Sequence, residues 1–294
     1  WSDYIDEDLL TKFEEETGID LVYDVFDSNE VLETKMLSGG SGYDIVVPTA
    51  DFLSRQIVAG AFQPLDTSKL PNLKNMWGVI EDRTAQYDPD DAYAINYMWG
   101  TTGLGLNVGK VKAALGDDAP MSSMDLVLKP ENMEKLAECG VYFLDAPTEI
   151  IPMVLKYLGE DPDSNDPEVI GKVEETLMAV RPYIKKFHSS EYINALANGD
   201  ICLAVGWSGD VFQARDRASE AKKGVEVGYS IPKEGAQMWF DMMAIPKDAK
   251  NVDNAYAFMD YILRPEVIAG ISNSVAYDNG NAASKPMIDE SVLT

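Results

Sequence analysis

Asp51, Glu149, Asp210 and Asp241, together with Trp207 and Trp239, have the types and spacing to hold a charged ligand. Thr49 and Asp51 follow an extended apolar run that ends at Pro48, and Glu149 follows one that ends at Leu144. Trp207 and Asp210 follow Ile201-Cys-Leu-Ala-Val205, a short run with β-branched ends that reads as a buried strand. Trp239 and Asp241 lie two apart on a further extended run, so their side chains share a face. In open parallel sheets, ligands bind beyond the carboxyl ends of the strands. Carboxylates at such ends form charge-assisted hydrogen bonds with ammonium groups, and tryptophan faces attract cations and cover methylenes. The combination suits a ligand with separated ammonium groups on an apolar spine. Trp1, Tyr4 and Tyr277 are further aromatic candidates. Each residue alone also has a plainer reading: Trp207 and Trp239 as core, Asp210 as a helix cap, Glu149 as a helix-start acid favoured by the dipole.

Motifs for bond chemistry are poor. His188 is the single histidine and the cysteines number two, so a zinc centre or a histidine-based catalytic centre is nearly excluded. Gly206-Trp-Ser208-Gly-Asp210 approaches a nucleophile elbow, but its final position is Asp210 and no histidine base accompanies it. His188 reads as a packed or capping residue. Gly103-Leu-Gly105 lacks the third glycine of a dinucleotide fingerprint. A glycosidase would need an opposed carboxylate pair, and no spacing here selects one. No cofactor and no metal are expected.

The elements that must position these side chains alternate between helix and strand. Residues 8–16 carry Leu9, Leu10 and Phe13 on one face before Gly18, a helix with a glycine stop. Residues 19–26 alternate toward strand, and Asp27-Ser28-Asn29-Glu30 reads as a capping box opening a helix that ends at Gly39-Gly40. Residues 43–48 read as strand and 51–59 as helix, so the order is β-α-β-α with short connections and a mostly parallel sheet. Residues 93–107 form a long extended run with internal glycines, a sign of bends or close backbone approach. That run reads as a crossing between two lobes, and 239–246 as the return. Between them the alternation repeats, with a helical stretch over 167–187 broken at Pro182. The expected division is 1–101 with 240–280 as lobe 1, and 102–239 with 281–294 as lobe 2.

Composition narrows the function classes. The chain has 294 residues, 46% of them hydrophobic, enough for a sizeable core. Lys and Arg total 24 against 50 Asp and Glu, a formal charge of −26. That balance argues against nucleic acid and against docking on anionic lipid. It permits a cationic partner, although solubility alone also accounts for it. No apolar run approaches the roughly 18 residues of a spanning helix, so no membrane insertion is expected. Cys139 and Cys202 fit either one disulfide in an exported protein or two buried thiols. Both fall in the second lobe, one before a strand and one inside another, and the disulfide is the expectation.

Several segments together resemble the periplasmic polyamine-binding proteins, for putrescine and spermidine, that serve ABC importers. They are Trp1-Ser-Asp-Tyr4, Tyr23-Asp-Val-Phe-Asp-Ser-Asn-Glu-Val-Leu32, Phe143-Leu-Asp-Ala-Pro147, Phe187-His-Ser-Ser190, Asn198-Gly-Asp-Ile-Cys202, Gly206-Trp-Ser-Gly-Asp210, Ile231-Pro-Lys-Glu-Gly235 and Trp239-Phe-Asp241. The likeness runs across essentially the whole chain. It implies an α/β fold of two lobes, the type II periplasmic-binding-protein class, with mostly parallel sheets joined by crossing strands and closing on ligand. It implies an aromatic box from Trp1, Tyr4, Trp207, Trp239 and Tyr277, with ammonium acceptors at Glu149, Asp210 and Asp241. Ser2 and Thr49 are implied polar contacts, and Thr49 and Asp51 stand where family members vary. Spermidine is expected ahead of putrescine, because diamine-preferring relatives tend to carry the smaller Phe where Trp239 stands. The implied partners are the polyamine and an ABC permease, with a monomer in the periplasm, or lipid-anchored at the surface of a bacterium with one membrane. A sensor module with the same pocket is the alternative, and a carbohydrate-binding protein a more distant one. Relative to the family, a strand before Trp1 and a segment beyond Val292 are expected to be missing, leaving the Trp1 wall with less support.

Overall fold

Residues 1–293 are described by a computed structural model. Its strands, in chain order, are β1 (Ala94–Asn107), β2 (Val141–Phe143), β3 (Lys186–Phe187), β4 (Leu203–Trp207), β5 (Val227–Ser230), β6 (Met238–Ala244) and β7 (Asp278–Asn279). The chain forms two units: unit 1 holds residues 1–100 and the described residues from Trp239 on, and unit 2 holds 101–238. The chain passes from unit 1 to unit 2 within β1 and returns within β6.

In unit 1 the helix Glu7–Thr17 is capped by the Asp6 side chain on the Asp8 N–H and ends at Gly18, which takes the left-handed conformation that glycine adopts without strain. It buries Leu9, Leu10 and Phe13, as its periodicity requires. Ser28 caps the helix Asn29–Ser38 by accepting from the Val31 N–H. That helix and Ala50–Val58 pack Leu32, Met36, Ala50 and Leu53 against Phe240, Met242 and Ala244 of β6. The alternate positions of β6, Trp239 and Asp241, therefore face away from that core cluster. Residues 281–293 belong with unit 1 rather than with the second lobe. The Asn281 amide donates to the Leu263 carbonyl at 2.8 Å, and its oxygen caps the turn Ala282–Met287, tying the segment to the helix Pro265–Val275 and its neighbours.

Two expected strands of unit 1 differ from expectation. Residues 19–26 are extended but form no strand: the Leu21 N–H donates to the Glu14 carboxylate and the Val25 N–H to Asp24, so side chains take the place of a ladder. Residues 43–48 make only an isolated antiparallel bridge, from Val46 to Ala244, and Thr49 adds another to Asp241. A cavity of about 610 Å³ opens between these two segments, lined by Trp1, Tyr4, Leu21, Tyr23, Phe26 and Tyr97 among others. Thr49, Trp239, Asp241 and Tyr277 do not line it, but Tyr4, which donates to Asp241, does, so the cavity adjoins the carboxylate cluster described below.

In unit 2 the strand order is β3-β2-β4-β1-β5. Pairing is parallel for β2 with β3 and β4, and antiparallel for β1 with β4 and β5, so the sheet is mixed where a mostly parallel one was expected. The antiparallel strand is the crossing strand itself, which enters from the other unit rather than through a βαβ turn. The core is large and apolar, running through Leu104, Val141, Phe143, Val154, Leu196, Val205 and Val211. Cys139 and Cys202 are joined, with Cα atoms 5.5 Å apart, linking the start of β2 to the start of β4. The helical stretch over 167–187 stops at Val180, and a 3-10 turn containing Pro182 leads into β3.

Candidate functional site

The predicted site residues fall into two groups, one on each unit. In unit 1, Asp241 lies mid-β6 and is only 4% exposed. One of its carboxylate oxygens accepts from the Thr49 hydroxyl at 2.8 Å and the other from the Tyr4 hydroxyl at 2.8 Å. The antiparallel bridge between Thr49 and Asp241 sets that register. Burial pushes the Asp241 carboxyl up to about 6; the two hydroxyls hold it back, and Asp51 adds to the rise. Asp51 occupies the first turn of the helix Ala50–Val58, and burial raises its carboxyl too.

Aromatic rings surround this carboxylate. Trp239 meets Tyr277 at 5.3 Å with the rings inclined at 65°, while Tyr277 meets Tyr4 at 5.2 Å and Tyr4 meets Tyr97 at 5.4 Å, both close to perpendicular. The Tyr97 hydroxyl donates to the Tyr4 carbonyl, which fixes the leading segment in place. Tyr4, Thr49, Trp239, Asp241 and Tyr277 are thus brought together. The Trp1 indole N–H donates to the Val47 carbonyl, and its ring lies 4.8 Å from Phe26. Ser2 sits in the turn between Trp1 and Tyr4, half-buried.

In unit 2, Asp210 lies in the first turn of the helix Ser208–Ala221 and is 6% exposed. The N-cap is Trp207, without a side-chain cap, so Asp210 is not the capping residue. Instead, Asp210 accepts from the Tyr192 hydroxyl at 2.7 Å, and that hydroxyl accepts from the Trp207 N–H at 3.0 Å. Gly206 is required by this geometry, because a Cβ there would come within 2.5 Å of the Tyr192 ring. The Gly-Trp-Ser-Gly-Asp motif therefore presents Asp210 and Trp207 together by letting a buried tyrosine lie flat against the strand. Glu149, in the first turn of the helix Pro147–Tyr157, is also buried and accepts from the Thr102 hydroxyl at 2.6 Å. Gly103 in the crossing strand makes room for the Tyr229 hydroxyl, which would lie 2.6 Å from a Cβ there.

His188 plays the modest part expected of it: its Nδ1 accepts N–H bonds from Ser190 and Glu191 just before the helix Tyr192–Asn198. Among the described residues no cluster suited to a metal ion is present. Sequence reasoning missed Tyr192, Thr102, Asn29 and Asn96, which hold the carboxylates or their backbone. Of these, only Asn29 lay in a motif already singled out, where it read as part of a cap.

A family profile described as bacterial extracellular solute-binding protein matches residues 8–288. The chain belongs to that family. Among curated solute-binding relatives, the putrescine-binding periplasmic protein PotF of Escherichia coli is 57% identical over 293 residues, covering 99% of this chain and 79% of the relative. The putrescine-binding periplasmic protein SpuD of Pseudomonas aeruginosa is 56% identical, covering 99% and 80%. Among solved structures, the spermidine/putrescine ABC transporter substrate-binding protein PotD of Streptococcus pneumoniae superposes with a TM-score of 0.77 at 31% identity, covering 99% of this chain and 84% of that one. The TpPotD lipoprotein of Treponema pallidum gives a TM-score of 0.80 at 26% identity, covering 98% and 86%. The motif resemblance and these comparisons agree on the family. No described helix of this solute-binding protein is long and apolar enough to cross a membrane.

Proposed function

We propose that this solute-binding protein captures a polyamine outside the cytoplasm and delivers it to an ABC importer, with no bond chemistry. The observation that carries the reading is Asp241: a buried carboxylate, accepting from neutral hydroxyls, among the rings of Trp239, Tyr277 and Tyr4. A buried anion is costly unless a counter-charge reaches it, and an ammonium group supplies that charge. Tyrosine and tryptophan faces add cation–π attraction and cover the methylenes. Unit 2 by itself carries two further acceptors of the same chemistry, Asp210 and Glu149, each buried and each accepting from a fixed hydroxyl. Ligand that binds one conformational state selectively shifts the population toward that state. That state is what a permease would recognise.

The relatives support this reading by name, since PotF and SpuD are putrescine-binding periplasmic proteins. Relatives near 30% identity are named spermidine/putrescine-binding, so the names do not choose between the two ligands. Spermidine ahead of putrescine rests on Trp239, whose longer wall covers more methylenes. Calorimetric titration with putrescine, cadaverine, spermidine, spermine and a neutral sugar tests the reading. Saturable binding of amines with no heat from the sugar is expected; a sugar response with no amine response would overturn it.

A further inference from the structure

Asp241 is tied to Asn29 through Thr49, and the bonds between them have a single direction. The Oδ1 of Asn29 accepts from the backbone N–H of Thr49 at 3.0 Å. A backbone N–H can only donate, so that contact fixes which end of the amide is oxygen. The NH2 group is therefore the end lying 2.9 Å from the Thr49 hydroxyl oxygen, and it donates there. With that oxygen receiving a proton from Asn29, the single hydroxyl proton of Thr49 is directed to Asp241, 2.8 Å away. Asn29 is not needed for capping its own helix, because Ser28 already accepts from the Val31 N–H. A second amide, Asn96, donates to the backbone carbonyl of Asp241 and so steadies the strand beneath it.

We propose that Asn29 is a positioning residue for amine capture: its amide orients the Thr49 hydroxyl toward Asp241 and so keeps that buried carboxylate in the anionic form that an ammonium group needs. The inference rests on the reading that Asp241 receives an ammonium. The titratable groups facing Asp241 are Tyr4 from the leading segment, Asp51 from the helix Ala50–Val58, and Tyr97 from β1. Asp51 is itself raised by burial, and its charge adds to the rise at Asp241. Loss of the orienting donor leaves the Thr49 hydroxyl free to turn elsewhere and Asp241 with Tyr4 as its remaining hydroxyl donor, which raises the proton affinity of Asp241.

The test is a site-resolved 13C carboxyl NMR titration of ligand-free protein, in an Asp51→Asn background so that the neighbour does not titrate alongside. Thr49→Val is expected to move the Asp241 midpoint up by about one pH unit, the scale of one hydrogen bond to a charged group. Asn29→Leu should move it in the same direction, and the combination no further than Thr49→Val alone, because Asn29 acts through Thr49. Asn29→Ala serves in its place should the leucine variant fail to fold. An unmoved midpoint in the Asn29 variants, or full additivity with Thr49→Val, overturns the proposal. In otherwise native protein, Asn29→Leu should weaken putrescine binding at pH 6 by severalfold more than at pH 8. A moved midpoint with unaltered putrescine affinity would show instead that Asp241 is not the ammonium acceptor, and Asn29 would then have no part in capture.

Discussion

Replacing Asp241 with asparagine should separate binding from stability. The Asp241 carboxyl is raised from the ordinary 3.8 to about 6, chiefly by burial. A shift of about two units is worth about 3 kcal/mol at about 1.4 kcal/mol per unit. The sign follows from proton binding: between the unfolded value near 4 and the folded value near 6, the folded protein holds a proton that the unfolded chain has released. Ligand-free protein therefore loses stability as pH rises through that window and stands at its full deficit above it. Asp241→Asn carries no charge to bury, so at pH 7.5 the ligand-free variant should be more stable than the native protein by up to about 3 kcal/mol. For a unit of this size that is an upper bound of roughly 6–12 °C in the melting temperature. At pH 4.5 the difference should largely vanish. Amine affinity should fall in the same variant by at least about a hundredfold, the scale of losing a charge-assisted pair in a buried setting. Calorimetric melting at both pH values, with titration by spermidine, reads all of this. A variant less stable than native at pH 7.5 with amine affinity retained would refute the reasoning, because the carboxylate would then be a structural acceptor for Tyr4 and Thr49.

Other consequences follow from the same structure. Asp210→Asn should weaken amine binding by about tenfold or more, the loss of one charged partner, while the ligand-free melting temperature stays within a few degrees; a large stability loss with unaltered affinity would assign Asp210 a purely structural role. Gly206→Ala should cost about 1–3 kcal/mol and weaken amine binding, since a Cβ would displace the Tyr192 ring that holds Asp210; an unchanged melting curve would contradict the close packing. Trp239→Phe should reduce the spermidine-to-putrescine affinity ratio, with each methylene uncovered worth about 0.8 kcal/mol; competition titration in both proteins gives the ratio, and no change would remove Trp239 as the determinant. Reduction of Cys139–Cys202, which closes a separation of 63 residues, should destabilise by about 4 kcal/mol in the chain-entropy account; denaturation with and without reductant measures it, and coincident curves would show the link to be energetically idle.

Much of the helix pattern was legible because its signals are local. Ser28 and Gly18 mark helix ends through contacts only a few residues long, and the apolar face of the helix Glu7–Thr17 follows from its own spacing. The crossing runs were legible from the length and internal glycines of residues 93–107 and from the second extended run over 239–246. Strand partners were not, because pairing depends on distant residues. Residues 19–26 alternate as a strand should, yet Glu14 and Asp24 take their N–H groups. Likewise the antiparallel placement of β1 in unit 2 depends on how the chain enters from unit 1. Within the candidate site, the acceptors Asp210, Asp241 and Glu149 stood out as charges beside aromatic residues or at strand ends. Their donors did not: Tyr192, Thr102 and Asn29 are common residue types separated from the acceptors by 18, 47 and, through Thr49, 20 residues of chain. Only the folded chain shows that each carboxylate has its own hydroxyl.

The most direct measurement is the crystal structure of the protein with spermidine bound. The account predicts an ammonium nitrogen about 2.7–3.0 Å from a carboxylate oxygen of Asp241, with the adjoining methylenes against Trp239 or Tyr277. Spermidine held elsewhere on the molecule, with none of its nitrogens against Asp241, would contradict the account.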